Sequence, residues 1–205
     1  MREKILYFDC SAGISGDMTL GALLDLGADK KVFLAELEKL HLEGYEIAFE
    51  TTQRNAITAT HVNVILTGQE QAHDHTHEHD HEHTHNHSHD HGHGHFHRSF
   101  RDIRQMIQNS ELSKEVKDLS LRIFTRVARA EAKVHHRDME EVQFHEVGAV
   151  DSIVDIVGSA ILITMLKPDR ICASVVQDGH GSIASTECYQ CRCRQYVKSL
   201  QNRMC

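Results

Sequence analysis

Residues 4–27, Lys-Ile-Leu-Tyr-Phe-Asp-Cys-Ser-Ala-Gly-Ile-Ser-Gly-Asp-Met-Thr-Leu-Gly-Ala-Leu-Leu-Asp-Leu-Gly, decide how this chain is read. Residues 4–9 have the apolar density of a buried strand. A Gly/Ser loop, Cys10 to Gly16, follows. From Asp17 to Leu26 the apolar residues Met18, Leu20, Leu23 and Leu24 recur at helical spacing. Ser15 is placed to cap this helix and Gly27 to end it. A strand, a tight loop and a helix in this order start an α/β layer.

The pattern continues outward. Val32, Phe33, Leu37 and Leu40 predict a second helix over 31–41. Alternation at Tyr45, Ile47 and Phe49, and again at Val62, Val64 and Leu66, predicts strands over 44–53 and 58–67, joined through Arg54-Asn-Ala-Ile. Ser99 caps a helix to Ile107, and Ser113 a longer one to Val134 with a weak capping-box-like start. Residues 149–166 are apolar nearly all round and predict a buried helix that Pro168 stops. Residues 170–176 read as another strand. The expected fold is α/β: a mixed sheet with packed helices, interrupted by a disordered His-rich loop. The expected domain runs over 1–181 and contains that loop at 72–97, with 182–205 as an unstructured tail.

Composition narrows the function. The 205 residues carry a net charge of −8 and 40% hydrophobic residues. That balance fits a globular protein and argues against non-specific nucleic-acid binding, which needs positive charge. No apolar run spans a bilayer, and Met1 to Phe8 reads as a strand's approach and not as a secretory leader. A cytoplasmic protein with no membrane and no nucleic-acid partner is expected, its six Cys held as thiols or metal ligands.

Thirteen of the 19 His stand at alternate positions: His73, His75, His77, His79, His81, His83, His85, His87, His89, His91, His93, His95 and His97. The tract holds five acids and no Lys or Arg, so it accounts for five of the eight net negative charges. Neutral imidazole is a good ligand for nickel, zinc and copper. Alternating His on an extended chain offer several weak, overlapping sites suited to buffering or delivery. Acidification toward about pH 5 protonates the ligands and releases the metal. The bland alternative is a solvated low-complexity linker.

Three further places carry chemistry. In Phe8-Asp-Cys-Ser-Ala-Gly-Ile-Ser-Gly-Asp-Met18, a loop runs into a helix N-terminus, which suits an anion. It has no Lys for a Walker A loop, and its Gly spacing is not the dinucleotide fingerprint. Asp9 and Asp17 would repel a phosphate unless a cation lay between, so the loop suggests a metal-bearing site. The alternative is a tight turn with Asp17 on the helix dipole. In Phe144-His-Glu-Val-Gly-Ala-Val-Asp-Ser-Ile-Val-Asp-Ile-Val157, Asp151 and Asp155 lie four apart on one helix face, in an apolar setting that makes unpaired carboxylates costly. His145 and Glu146 precede them and can converge on one divalent cation. A core hydrogen-bond network or a buried ion pair are the alternatives. In Asp178-Gly-His-Gly181, His180 stands at a strand's end, as a site residue or as an ordinary loop His. Cys188-x-x-Cys191-x-Cys193 and Cys205 resemble half of a zinc knuckle without a partner half.

Taken together, Phe8 to Gly27, the His-rich loop leading into Arg98-Ser-Phe-Arg-Asp-Ile103, and Phe144 to Ile156 closely resemble the nickel-insertion proteins of the nickel-pincer cofactor pathway, the LarC family. The resemblance covers residues 4 to about 181. It implies insertion of nickel into pyridinium-3,5-bisthiocarboxylic acid mononucleotide, with CTP and manganese or magnesium consumed. It implies a product that serves a lactate racemase-type acceptor, and a homo-oligomer. In its light, Asp9, Asp17, Asp151 and Asp155 hold the cation; His145, Glu146 or His180 is the base; and Ser11, Gly13, Ser15 and Gly16 bind the cofactor precursor. The family continues into a C-terminal domain associated with CTP, which 182–205 does not match, so a separate C-terminal polypeptide is an expected partner. A non-catalytic nickel or zinc store, or an inert product, are the competing readings.

Overall fold

The computed structural model describes residues 3–54, 56–67, 98–144 and 147–177. Strand β1 (Ile5–Phe8) enters helix α1 (Gly16–Asp25) through the Gly/Ser loop. Helix α2 (Lys30–Glu38) and the strands β2 (Tyr45–Arg54) and β3 (Ile57–Leu66) come next. Beyond the His tract lie α3 (Phe100–Asn109), α4 (Lys114–His135), a short 3-10 turn (Met139–Glu141), α5 (Val150–Leu166) and β4 (Arg170–Ala173).

Helix α5 is the centre of the molecule. Its Ile153, Val154, Val157, Ala160, Ile161 and Leu162 are buried. It packs against α1, α2, α4 and β3. Phe33 of α2, Phe124 of α4, and Phe100 and Phe144 close the core around it. Two small residues permit these approaches. A Cβ on Gly158 would lie 3.0 Å from Leu20 and 3.3 Å from Phe33, so α1 and α2 seat closely on α5. A Cβ on Gly21 would lie 2.1 Å from the Thr60 carbonyl oxygen, so α1 touches the backbone of β3. Asp25 fixes the same contact by accepting from Thr60 N–H at 2.9 Å and from its hydroxyl at 2.6 Å.

The strands differ from the expected single mixed sheet. They form two separate two-stranded sheets, β1 with β4 in parallel and β2 with β3 antiparallel. The cause is local. β2 and β3 satisfy each other over ten registered pairs from Tyr45↔Leu66 to Arg54↔Ile57. Among the described residues β1 pairs with β4 alone, which α5 returns beside it. Lys4 N–H donates to Asp169 at 2.7 Å and Lys4 Nζ to the Leu166 carbonyl at 2.6 Å, locking the end of α5 and the start of β4 onto β1.

Caps also differ from the pattern. Ser15 takes the N-cap position of α1, but its hydroxyl makes no capping bond and donates to Asp17 instead. The reciprocal capping box lies at Ser99 and Asp102, opening α3, whereas Ser113 caps α4 through Val116 N–H without a partner acid. Helix α5 ends on Lys167 in the left-handed conformation, one residue before Pro168.

The His tract, the tail and the Cys188–Cys205 motif lie outside the described residues. No helix among the described residues is long and apolar enough to cross a membrane. Gly21→Ala is expected to cost about 1–3 kcal/mol, because the methyl meets backbone that cannot swing away; urea unfolding measures it, with Gly27→Ala, where the Cβ meets only open space but φ is +102°, reporting the pure backbone effect.

Candidate functional site

Three of the sequence-predicted acids gather where the start of α1 meets the first turns of α5. Asp151 lies in the first turn of α5 and Asp155 one turn later. Asp17 comes from the first turn of α1. Gly16 permits the meeting. A Cβ there would lie 2.0 Å from Asp155 Oδ2 and 2.5 Å from Asp155 Cβ. Only a residue without a side chain lets the Asp155 carboxylate press against the helix start.

The result is a carboxyl under stress. Asp155 Oδ1 is buried and has no hydrogen-bond partner among the described residues. Burial, then the negative charges of Asp17 and Asp151, push its pKa up to about 6. No Lys or Arg forms an ion pair with Asp17, Asp151 or Asp155 among the described residues. A cation placed among these oxygens would reverse the repulsion and partner the orphaned oxygen. Oxygen donors of this kind suit a divalent ion such as manganese or magnesium, and nickel more weakly than sulfur or imidazole does.

Asp17 has other neighbours. The Ser15 hydroxyl donates to its Oδ1. His61 Nε2 lies 3.9 Å from its Oδ2, and His61 Nδ1 lies 4.0 Å from Glu50 Oε2. His61 therefore stands between an acid of α1 and an acid of β2. The sequence motifs do not single out His61 or Glu50. The signal exists in the hairpin: strands symmetric about the 54–57 connection pair residue 61 with residue 50, and the ladder has that register.

Asp9 is satisfied separately. The Ser11 hydroxyl and N–H, the latter at 3.1 Å, hold its carboxyl below the usual range, and the Ser174 hydroxyl adds to this. Ser174 also accepts from Cys10 N–H at 2.7 Å, so β1's exit and β4's exit are tied together. The Cys10 thiol is buried, and burial followed by the charge of Asp9 raises its pKa. In the loop, Gly13 adopts φ +90° and donates to the Cys10 carbonyl at 3.1 Å. Gln177 N–H donates to the same carbonyl at 3.1 Å. Ser11, Gly13, Ser15 and Gly16 thus form a folded loop against the end of β4. The loop presents Ser11 to solvent and Gly16 to Asp155.

His145, Glu146, His180 and the thirteen His of the tract lie outside the described residues. Among the described residues, no three His, Cys, Asp or Glu side chains close on one point as a metal cage would. The flanks of 145–146 are fixed, however. Phe144 N–H donates to the Arg98 carbonyl at 3.2 Å, and the Arg98 guanidinium donates to the Gly148 carbonyl at 3.3 Å. Arg98 directly follows His97, so the tract's C-terminal anchor sits on the turn that leads into Asp151.

Asp155 makes a stability prediction. Its folded pKa lies above the ordinary carboxylate value, so folding disfavours its charged form. The cost is absent below about pH 4, grows as pH rises through about 6 and is full above it. Because the group is partly solvated, the full cost is about 1–2 kcal/mol and not the nominal value of the shift. Asp155→Asn is expected to raise the thermal midpoint at pH 7.5 and leave it unchanged near pH 4, as read by calorimetry without metal. An equal effect at both pH values would contradict the assignment.

The comparisons with known proteins agree with one another. The sequence model of the nickel insertion protein family matches residues 6–189. A pyridinium-3,5-bisthiocarboxylic acid mononucleotide nickel insertion protein of Clostridium acetobutylicum is 57% identical over 189 residues, covering 88% of this chain and 45% of that protein. Proteins of the same name from Acetivibrio thermocellus and Akkermansia muciniphila are 49% and 44% identical, each over 88% of this chain and 40% of the relative. The chain thus spans 40–45% of the length of these curated relatives. No solved structure matches it. With the family's sequence pattern running through nearly the whole chain, including every acid of the site, the protein belongs to the nickel insertion protein family.

Proposed function

We propose that this chain supplies the nickel-handling part of an enzyme that inserts nickel into pyridinium-3,5-bisthiocarboxylic acid mononucleotide. The names of relatives 44–57% identical support the substrate. The observation that carries the reading to this chain is the unpartnered Asp155 carboxyl beside Asp17 and Asp151, with no basic residue to neutralise it among the described residues.

Nickel is the cargo of this reaction. It must leave oxygen and imidazole ligands for two thiocarboxylate sulfurs and one ring carbon. Forming the nickel–carbon bond breaks a ring C–H bond, and its electron pair goes to the metal. The proton goes to a general base, for which His145, Glu146 and His180 are the candidates. Asp17, Asp151 and Asp155 hold the divalent cation, with Asp9 at the far side of the loop. Ser11, Gly13, Ser15 and Gly16 line the side that receives the mononucleotide phosphate, whose charge the cation offsets. The tract from His73 to His97 keeps nickel close. Its anchor at Arg98, bonded to Phe144 and Gly148, supports delivery to residues 145–146. CTP with manganese or magnesium, a C-terminal polypeptide that handles it, a lactate racemase-type acceptor, assignment to the lyases and a cytoplasmic setting complete the proposal.

The competing reading is a nickel or zinc store without catalysis. Incubation with nickel, the bisthiocarboxylate mononucleotide and manganese–CTP, with and without a family C-terminal polypeptide, separates the two by the absorbance of the nickel cofactor. Deletion of 73–97 is expected to slow insertion at scarce nickel and to leave turnover intact at plentiful nickel. No cofactor under any of these conditions would leave only the store. His145→Ala is expected to lower insertion at saturating nickel by about 10²-fold or more, as for loss of a general base; full activity would remove His145 from the candidates.

A further inference from the structure

We infer that the outer face of the β1–β4 pair is the seat of the portion of a full-length relative that this chain does not match. The inference rests on family membership and on the sheet, and is independent of which residues hold the cation. Parallel strands occur almost only with both faces covered. Here the covering is partial: Leu6 is buried and Phe8 packs against the core, while Ile171, registered beside Leu6, is 47% exposed. The opposite face carries Ile5 and Tyr7, 45% and 59% exposed, with Cys172 registered beside Tyr7. Arg170, registered beside Ile5, forms an ion pair with Glu3 at 3.4 Å and borders the apolar centre. An apolar centre with a charged border is the composition of an interface. Each strand also has an unpaired edge among the described residues.

Size decides the occupant. Two strands of four residues offer roughly 13 Å by 10 Å, on the order of 130 Å², against roughly 800 Å² per partner in a stable complex. A second copy stacked on this face alone would fall far short. A polypeptide that extends the sheet at a free edge gains main-chain hydrogen bonds, and the chain beyond its added strand can fold back over the face. The relatives carry such polypeptide, since this chain spans only 40–45% of their length.

The test co-expresses this chain with the unmatched remainder of the Clostridium acetobutylicum relative and measures association by sedimentation velocity. A 1:1 complex is expected. Tyr7→Lys should weaken it about tenfold or more, while Ile57→Lys, at an exposed apolar position on the hairpin, leaves it unchanged. Ile5→Lys, on the same face, gives the reading should Tyr7→Lys not fold. Absence of a complex, a complex indifferent to both face variants, or a homodimer that they abolish would each overturn the inference. Failure here leaves the nickel proposal standing, because no readout uses metal.

Discussion

Among the described residues the arrangement depends on the close approach of Gly16 to Asp155. It sets one carboxyl of the central helix against the start of α1, where Asp17 already lies. Neither helix can withdraw. Gly158 seats α1 and α2 on α5, and Gly21 seats α1 on the Thr60 carbonyl. The helices are pressed together by the apolar core on one side. On the other side they are left with like charges that repel. A fold that keeps such a cluster with no Lys or Arg partner among the described residues holds it at a cost, and a cation is the simplest group that removes the cost.

In the proposed function the chain divides labour. The rigid part offers hard oxygen donors at the α1–α5 crossing. Arg98, the residue directly after the imidazole-rich tract, is bonded to Phe144 and Gly148 on either side of residues 145–146. Metal held by many weak imidazoles exchanges readily, and a fixed site selects geometry. The parallel strands carry the loop and join β1's exit to β4's through Ser174, so Asp9 and Cys10 are positioned by the sheet and not by the helices.

Much of this is legible in the sequence. The helical spacing of Leu20, Leu23 and Leu24, the all-apolar run before Pro168, and the two alternating strands mark the elements within a few residues. The pairing of Asp151 with Asp155 follows from helical periodicity alone. Other features are not legible, for physical reasons. Which strands pair depends on how α5 returns the chain, a tertiary matter, so alternation alone does not separate two small sheets from one. Ser15 has a capping residue's identity, but its hydroxyl accepts from no helix N–H and only donates to Asp17. His61 comes to the site only through the register of a hairpin and the depth to which Gly21 lets α1 settle. Asp9 shares a motif with Asp17, yet its carboxylate is held by Ser11 and Ser174.

The proposed divalent-cation site at the acids of α1 and α5 is distinct from the His tract. Calorimetric titration of nickel and of manganese into the chain lacking residues 73–97 tests it most directly. The account predicts one remaining site per chain, lost in both Asp155→Asn and Asp17→Asn although both variants stay folded. Retention of that site by both variants, or the absence of any site once the tract is removed, would contradict it.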